Sequence, residues 1–378
     1  IMDRTVVLLL AMVGAAVGLQ EVLGVFAAWS VGMGFHPLIA LLHFSWPRFY
    51  NDVQSWSMPV IVAMPVLFPG KPLANVFCVA ALVLEWYVVI ATGARGSMLG
   101  VSVAVLAAIL VIPSIRKTLM QYQFAGLVGG VMLYALVVAG HHQFVGVGPT
   151  ASETGSITTA QAFDDGSGNF TAALTADRMW TSSGRIDMWR GAMGDVKAHP
   201  LLGIGPMNYA CQGPVYRAGH PHNFPLQFMS EWGVPSSLLL IPVLGFLLFS
   251  LLHRLRTPEE PGDPKVKLAG FLATGVFAAA INSCFSGVLM GPASQVTGVL
   301  VSGCLLGLVS TPLQLVSARK GGTVVLAAAL IVSLLFLVFA REEITVSELR
   351  FEQTPVMDRA IPRFWQNGKV CVLYQKAS

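Results

Sequence analysis

Runs of membrane length without one charged residue constrain this chain more than any other feature. They recur at Gly96 to Ile115, Thr118 to Gly140, Pro235 to Leu252, Leu268 to Ala318 and Gly321 to Ala340. A helix crosses the hydrocarbon core with about 20 mostly apolar residues. The fourth run is therefore long enough for two crossings, with the Gly291-Pro292 pair near its middle. Closed barrels also satisfy their backbone in lipid, but their strands read as alternating segments of about ten residues. Charged residues make up 11% of the 378 and hydrophobic ones 54%, against roughly a quarter charged in an ordinary soluble domain. That excludes a soluble enzyme, and the expected fold is an all-α polytopic membrane protein.

Further spans are expected within Thr5 to Trp46, which holds two broken by Gln20-Glu21, and at Gln54 to Pro69 and Pro72 to Ala94. With Leu268 to Met290, Gln295 to Leu315 and Gly322 to Ala340 the total is about ten. The chain thus divides into N-terminal spans (1–140), a long polar loop (141–234), C-terminal spans (235–340) and a short tail (341–378). Short cytoplasmic loops carry an excess of Lys and Arg. Taking the polar loop as external puts Lys71, Arg116-Lys117, the Arg254/Arg256/Lys265/Lys267 loop and Arg319-Lys320 inside. The loop is then periplasmic or extracellular, the tail from Arg341 lies outside, and Arg95 stands at the outer end of its span. The formal charge of +4 does not point to nucleic acid, because the basic residues fall at span ends and form no patch. The first apolar block lacks a small-residue cleavage site, so no cleavable signal peptide is expected, and the opening Ile1 points to preceding residues. Cys78, Cys284 and Cys304 read as small core residues, whereas Cys211 and Cys371 would both lie outside, where a bridge between them can form.

Arg185 to Ser236 is the densest collection of titratable and aromatic side chains in the sequence. Before it, His141 to Ala173 is rich in Gly, Ser, Thr and Ala and reads as a crossing segment. Ser183-Gly184 reads as a helix start, with a stop before Pro200. Arg185 then falls in the first turn, with Trp189 one turn along the same face. A helix N-terminus offers unpaired N–H groups and partial positive charge to an anion, and an adjoining Arg adds a bidentate fork for phosphate oxygens. His222-Asn223 precedes an apolar helix that begins near Phe224-Pro225. Imidazole is the side chain suited to proton transfer near neutrality, and here it stands about where the loop re-enters the membrane.

Several motifs follow one another in order: Thr92-Gly93-Ala94-Arg95-Gly96, Arg185 with Trp189, Pro200 to Pro206, His220-Pro221-His222-Asn223 with Leu226-Gln227, and Glu231-Trp232-Gly233. Together they resemble the O-antigen ligase and polymerase superfamily of bacterial envelopes. The most specific element is His-Asn, nine residues, then Gly-x-x-Gly; Gly233 is in place and Ser236 stands where the second Gly belongs. The resemblance implies a GT-C-like glycosyltransferase of the inner membrane with its active site facing the periplasm, needing no metal or other cofactor. Its donor would be a polysaccharide on undecaprenyl pyrophosphate and its acceptor a sugar of the lipid A core. The essential histidine maps onto His222 and the pyrophosphate-binding arginines onto Arg95 and Arg185. His220, Asn223 and Trp189 are further substrate-binding candidates, and Asn208 and Tyr209 candidates for an acceptor cleft.

Bland readings stand beside these. Arg95 could be a headgroup anchor at a helix end, Trp189 an interface anchor, and Arg178, Arg190 and Arg217 solvated charges. Glu85 lies inside an apolar span, where acids are functional candidates by default; it is separated from Arg95 by about 15 Å along a continuous helix. Asp164-Asp165 reads as a turn. Rival functions are a polymerase that extends the polysaccharide on its carrier, a protein O-oligosaccharyltransferase, and, from another class, a transporter of lipid-linked sugars.

Overall fold

The structure, a computed structural model, describes residues 2–30, 47–144, 185–206, 208–211, 220–256 and 263–309. The long elements among them are all helices: α1 (Met2–Ser30), α2 (Pro47–Ile61), α3 (Pro72–Ala91), α4 (Arg95–Val111), α5 (Arg116–Phe144), α6 (Arg185–Ala198), α7 (Phe224–Arg256), α8 (Pro264–Ser283) and α9 (Pro292–Val309). Six, namely α1, α3, α5, α7, α8 and α9, are long and apolar enough to cross a membrane, and α4 is apolar but shorter. The chain is a multi-pass membrane protein. The span expected at Gly322 to Ala340, the tail, the Cys211–Cys371 bridge, Asp164-Asp165, Arg178 and Arg217 lie outside the described residues.

Two expectations about the first spans need correction. Helix α1 runs through Gln20-Glu21 without a break, because Glu21 is turned inward at 1% exposure and the backbone stays internally hydrogen-bonded. The span expected at Gln54 to Pro69 instead begins at Pro47, ends at Ile61 and resumes as one turn, Met64–Leu67. Helix α2 is the buried polar centre of the bundle: Tyr50, Asn51, Asp52, Gln54, Ser55 and Ser57 are each at most 2% exposed. A hydropathy reading discounts such a segment, although polar side chains at this depth are tolerable where they face protein. The span predicted from Leu268 begins four residues after the start of α8, whereas the one predicted from Pro235 is only the later part of α7, which starts at Phe224, where the apolar helix after His222-Asn223 was expected; the Gly291-Pro292 pair does separate α8 from α9.

Hydrogen bonds fix the direction of α2 against α3. Asn51 Nδ2 donates to Thr92 Oγ1 (3.0 Å), Gln54 Nε2 to the Glu85 carbonyl (2.9 Å), and Cys78 Sγ to the Ile61 carbonyl (3.5 Å). Helix α2 therefore descends as α3 rises, and Asn51-Asp52 lies at the end where α3 finishes. Helices α3 and α5 touch closely at Gly126 and Gly130, where an added Cβ would stand 2.7 Å from Leu82 Cβ and 2.6 Å from Trp86 Cβ. At the opposite end of the bundle the cations gather. Arg4 lies over the Phe68 ring (5.7 Å), Arg116 Nε donates to the Ile109 carbonyl (2.7 Å), Arg254 donates to the Val309 carbonyl, and Lys71, Lys117, Lys265 and Lys267 occupy neighbouring helix starts. Among the described residues, the basic groups that the charge rule assigned to one side share one end of the fold; Arg319-Lys320 lie outside the described residues.

Candidate active site

Glycine chemistry sets the position of Arg95. Gly93 (φ 62°) ends α3: its N–H donates to the Ile90 carbonyl (3.0 Å) and the Ala94 N–H to the Val89 carbonyl (3.1 Å). That is the paired closure of a left-handed C-terminal cap. The reversal makes Arg95 the first residue of α4, at the end of the bundle that Asn51 also reaches. Arg185 opens α6, as expected from Ser183-Gly184, and α6 ends at Ala198 before Pro200. The two arginines, far apart in sequence, line one pocket together with Asn51, Ser97, Asn282 and Ser286. Beneath it, Asn282 Nδ2 donates to Ser55 Oγ (2.9 Å), Ser97 Oγ (3.0 Å) and Asp52 Oδ1 (3.3 Å), tying α8 to α2 and α4.

The His220–Asn223 turn is braced from several sides. His220 is buried, and its Nδ1 accepts the backbone N–H of His222 (3.2 Å); the two rings meet edge to face at 4.2 Å. The other edge of the His220 ring rests on Gly287, where a Cβ would come within 2.6 Å of Cε1 and Nε2. Trp189 Nε1 donates to the Pro221 carbonyl (2.9 Å), fastening α6 to the turn, and Asn223 Oδ1 accepts the Leu226 N–H (2.9 Å), capping α7. Within this frame His222 adopts φ 53°, the only positive φ of a non-glycine residue among those described. A strained backbone of this kind persists only where the surroundings over-determine it. His222 does not line the arginine pocket itself. It joins the pocket through His220, whose ring feels the charge of Arg185 and packs on the turn that supplies Phe285 and Ser286.

A second clasp holds α6 and α7 together. Ile204 N–H donates to the Ser230 carbonyl (2.9 Å), Gly205 N–H to Glu231 (3.1 Å) and Val234 N–H to Pro200 (2.8 Å). The crossing is so tight that a Cβ on Gly233 (φ 82°) would stand 2.2 Å from the Leu201 carbonyl oxygen. Gly233 alone makes this kink in α7; Ser236 lies beyond it in regular helix, so a side chain there costs the turn nothing.

Burial and then the Arg185 guanidinium press the His220 pKa down to about 4 from its ordinary 6.5. The folded protein therefore holds His220 neutral while the unfolded chain takes up a proton below 6.5. Stability contributed here is present above pH 6.5 and is lost as the pH falls from 6.5 toward 4. Melting temperature measured across that window should drop for the wild type and drop less for His220→Asn, whose side-chain oxygen can still accept the His222 N–H.

Several candidates take structural places. Trp189 and Asn223 spend these polar atoms on the protein, and Tyr209 is buried with its hydroxyl donating to the Met188 carbonyl (3.1 Å), bracing α6. Asn208 donates to Ile204 (2.8 Å), and Arg190 makes an exposed pair with Asp187 (3.0 Å). Glu85 is held inside the bundle by Tyr50 Oη (3.1 Å) and by Gln54 Nε2. Sequence reasoning missed Asn51, Ser97, Asn282 and Ser286. Their signal was the clustering of amides and hydroxyls inside or beside apolar spans, where polar side chains face the interior.

A family model described as O-antigen ligase matches residues 80–241, a segment that contains Arg95, Arg185 and His222. Through this segment, a little under half of the chain, the protein is similar to the O-antigen ligase family. That family comprises ligase- and polymerase-type membrane glycosyltransferases. No curated protein and no solved structure matches the chain. The central helix α2 and Asn282 fall outside the O-antigen ligase match, so the pocket is built partly from residues the family segment does not contain.

Proposed function

We propose that the chain transfers O-antigen polysaccharide from undecaprenyl pyrophosphate to a sugar hydroxyl of the lipid A core, on the periplasmic face of the inner membrane. The observation that carries this reading is the convergence of Arg95 and Arg185 on one pocket, beside the His220–His222 pair. Two guanidiniums can grip a diphosphate through several charge-assisted hydrogen bonds. They would also stabilise the negative charge that develops on it as the bond to the sugar breaks. His222 acts as general base. It removes the acceptor hydroxyl proton while that oxygen attacks the anomeric carbon; the C1–O bond to the diphosphate breaks, undecaprenyl pyrophosphate leaves, and the configuration at C1 inverts. The metal-independent course follows from the family resemblance together with this cationic clamp.

Reconstitution with a defined donor tests the reading. Product on lipid A core, formed without ATP and undiminished by EDTA, is the expected result. Product on a carrier-linked repeat unit alone would make the protein a polymerase, and product on protein Ser an oligosaccharyltransferase. Movement of intact lipid-linked sugar across a vesicle with no transfer would make it a transporter. Activity lost to EDTA and restored by a divalent ion would overturn the metal-free course.

A further inference from the structure

The end of the bundle opposite Arg95 carries a second feature that glycosyl transfer does not use. Between α3 and α5 lies a groove of about 590 Å³, lined by the apolar Val76, Val79, Ala80 and Ala125 and by Asn75, Gln121 and Tyr122. Lys117 stands four residues before Gln121 in α5 and so lies about one helical turn, roughly 5 Å, further toward the basic end on the groove's side, and Lys71 immediately precedes Pro72, the first residue of α3, at that same end. Both lysines are exposed, and so are Asn75 and Gln121. Among the described residues no hydrogen bond to protein occupies the side chains of Asn75, Gln121 or Tyr122, although amides facing hydrocarbon are costly unless something pairs with them.

We propose that this groove binds an anionic phospholipid. The order along the groove matches the order along such a lipid. Two ammonium groups meet the phosphate, two amides and a phenol meet the glycerol and ester oxygens, and the Val/Ala lining takes part of an acyl chain. Charge decides the occupant: the surrounding end of the bundle also carries Arg4, Arg116, Arg254, Arg256, Lys265 and Lys267, and basic pockets between spanning helices favour anionic head groups over neutral ones. The site does not depend on the transfer reaction, and it lies away from every residue assigned to it.

Native mass spectrometry of the full chain in detergent, titrated with phosphatidylglycerol or phosphatidylcholine of identical acyl chains, reads the site directly. Phosphatidylglycerol should form the one-lipid complex at about tenfold lower concentration. The Lys71→Gln, Lys117→Gln double variant should lose that preference, while Lys265→Gln, Lys267→Gln at the same end should keep it. Ala80→Trp, which fills the groove, should weaken the one-lipid complex with both lipids, and unchanged melting temperatures show that each variant is folded. Equal affinity of the wild type for the two lipids overturns the proposal. So does a preference that survives removal of Lys71 and Lys117, or one lost equally in the Lys265/Lys267 variant, which would report only a generally basic surface.

Discussion

His222→Ala is expected to lower the rate of glycosyl transfer by about two to four orders of magnitude, the usual contribution of a positioned general base. Donor affinity should change little, because in the proposed mechanism the arginines hold the diphosphate; the loss then appears in kcat and hardly in KM. The comparison that gives this its force is with His220. Its Nδ1 holds the His222 N–H at 3.2 Å and its ring fills the space over Gly287, so in the proposed mechanism it acts through the placement of His222. His220→Ala should therefore also depress kcat, and His220→Asn should restore part of it by supplying an acceptor at a similar position. Gly287→Ala, which adds a methyl within 2.6 Å of the His220 ring, should do the same damage without touching either imidazole chemically. Full turnover in His222→Ala would remove the base assignment. Full turnover in Gly287→Ala would show that the brace does not matter.

Arg185→Lys should cost about two orders of magnitude in kcat/KM even though the charge is kept, because an ammonium cannot reproduce the planar fork that grips two phosphate oxygens. Arg95→Lys should behave alike, since both residues line the same pocket. If both contact one diphosphate, the double variant should cost less than the product of the two single losses, or more, but not simply the product, as expected for groups acting on one ligand. Transfer to a defined acceptor, together with binding of undecaprenyl pyrophosphate alone, separates the effects. A pair of strictly independent losses, or wild-type binding of the diphosphate lipid by Arg185→Lys, would contradict the clamp. Both substitutions sit at helix starts, so membrane insertion should be normal, and a melting curve checks that.

Hydropathy made the fold class legible because a membrane-crossing helix must be apolar over its whole length, and nothing in α5 or α7 competes with that demand. Local turn chemistry was legible too: Gly93 closes α3 and Asn223 caps α7, each from interactions within a few residues, and α6 starts at Arg185 as expected. What failed was reading polar residues in apolar surroundings. Gln20-Glu21 looked like a break and lies inside one continuous helix, and the span read at Gln54 to Pro69 is instead α2, which begins at Pro47 and is the buried polar centre of the bundle.

The sequence by itself determined a helical membrane protein and singled out Arg95, Arg185 and His222 as candidates, because hydropathy and short motifs are properties of neighbouring residues. Only the tertiary structure decided that Arg95 and Arg185 share a pocket, that Asn51 and Asn282 complete it, and that His220 is a buried brace. Those facts depend on contacts such as Asn282 with Ser55 and Ser97, or His220 with Gly287, between residues far apart in the chain. Helix packing creates such contacts, and no local pattern encodes them.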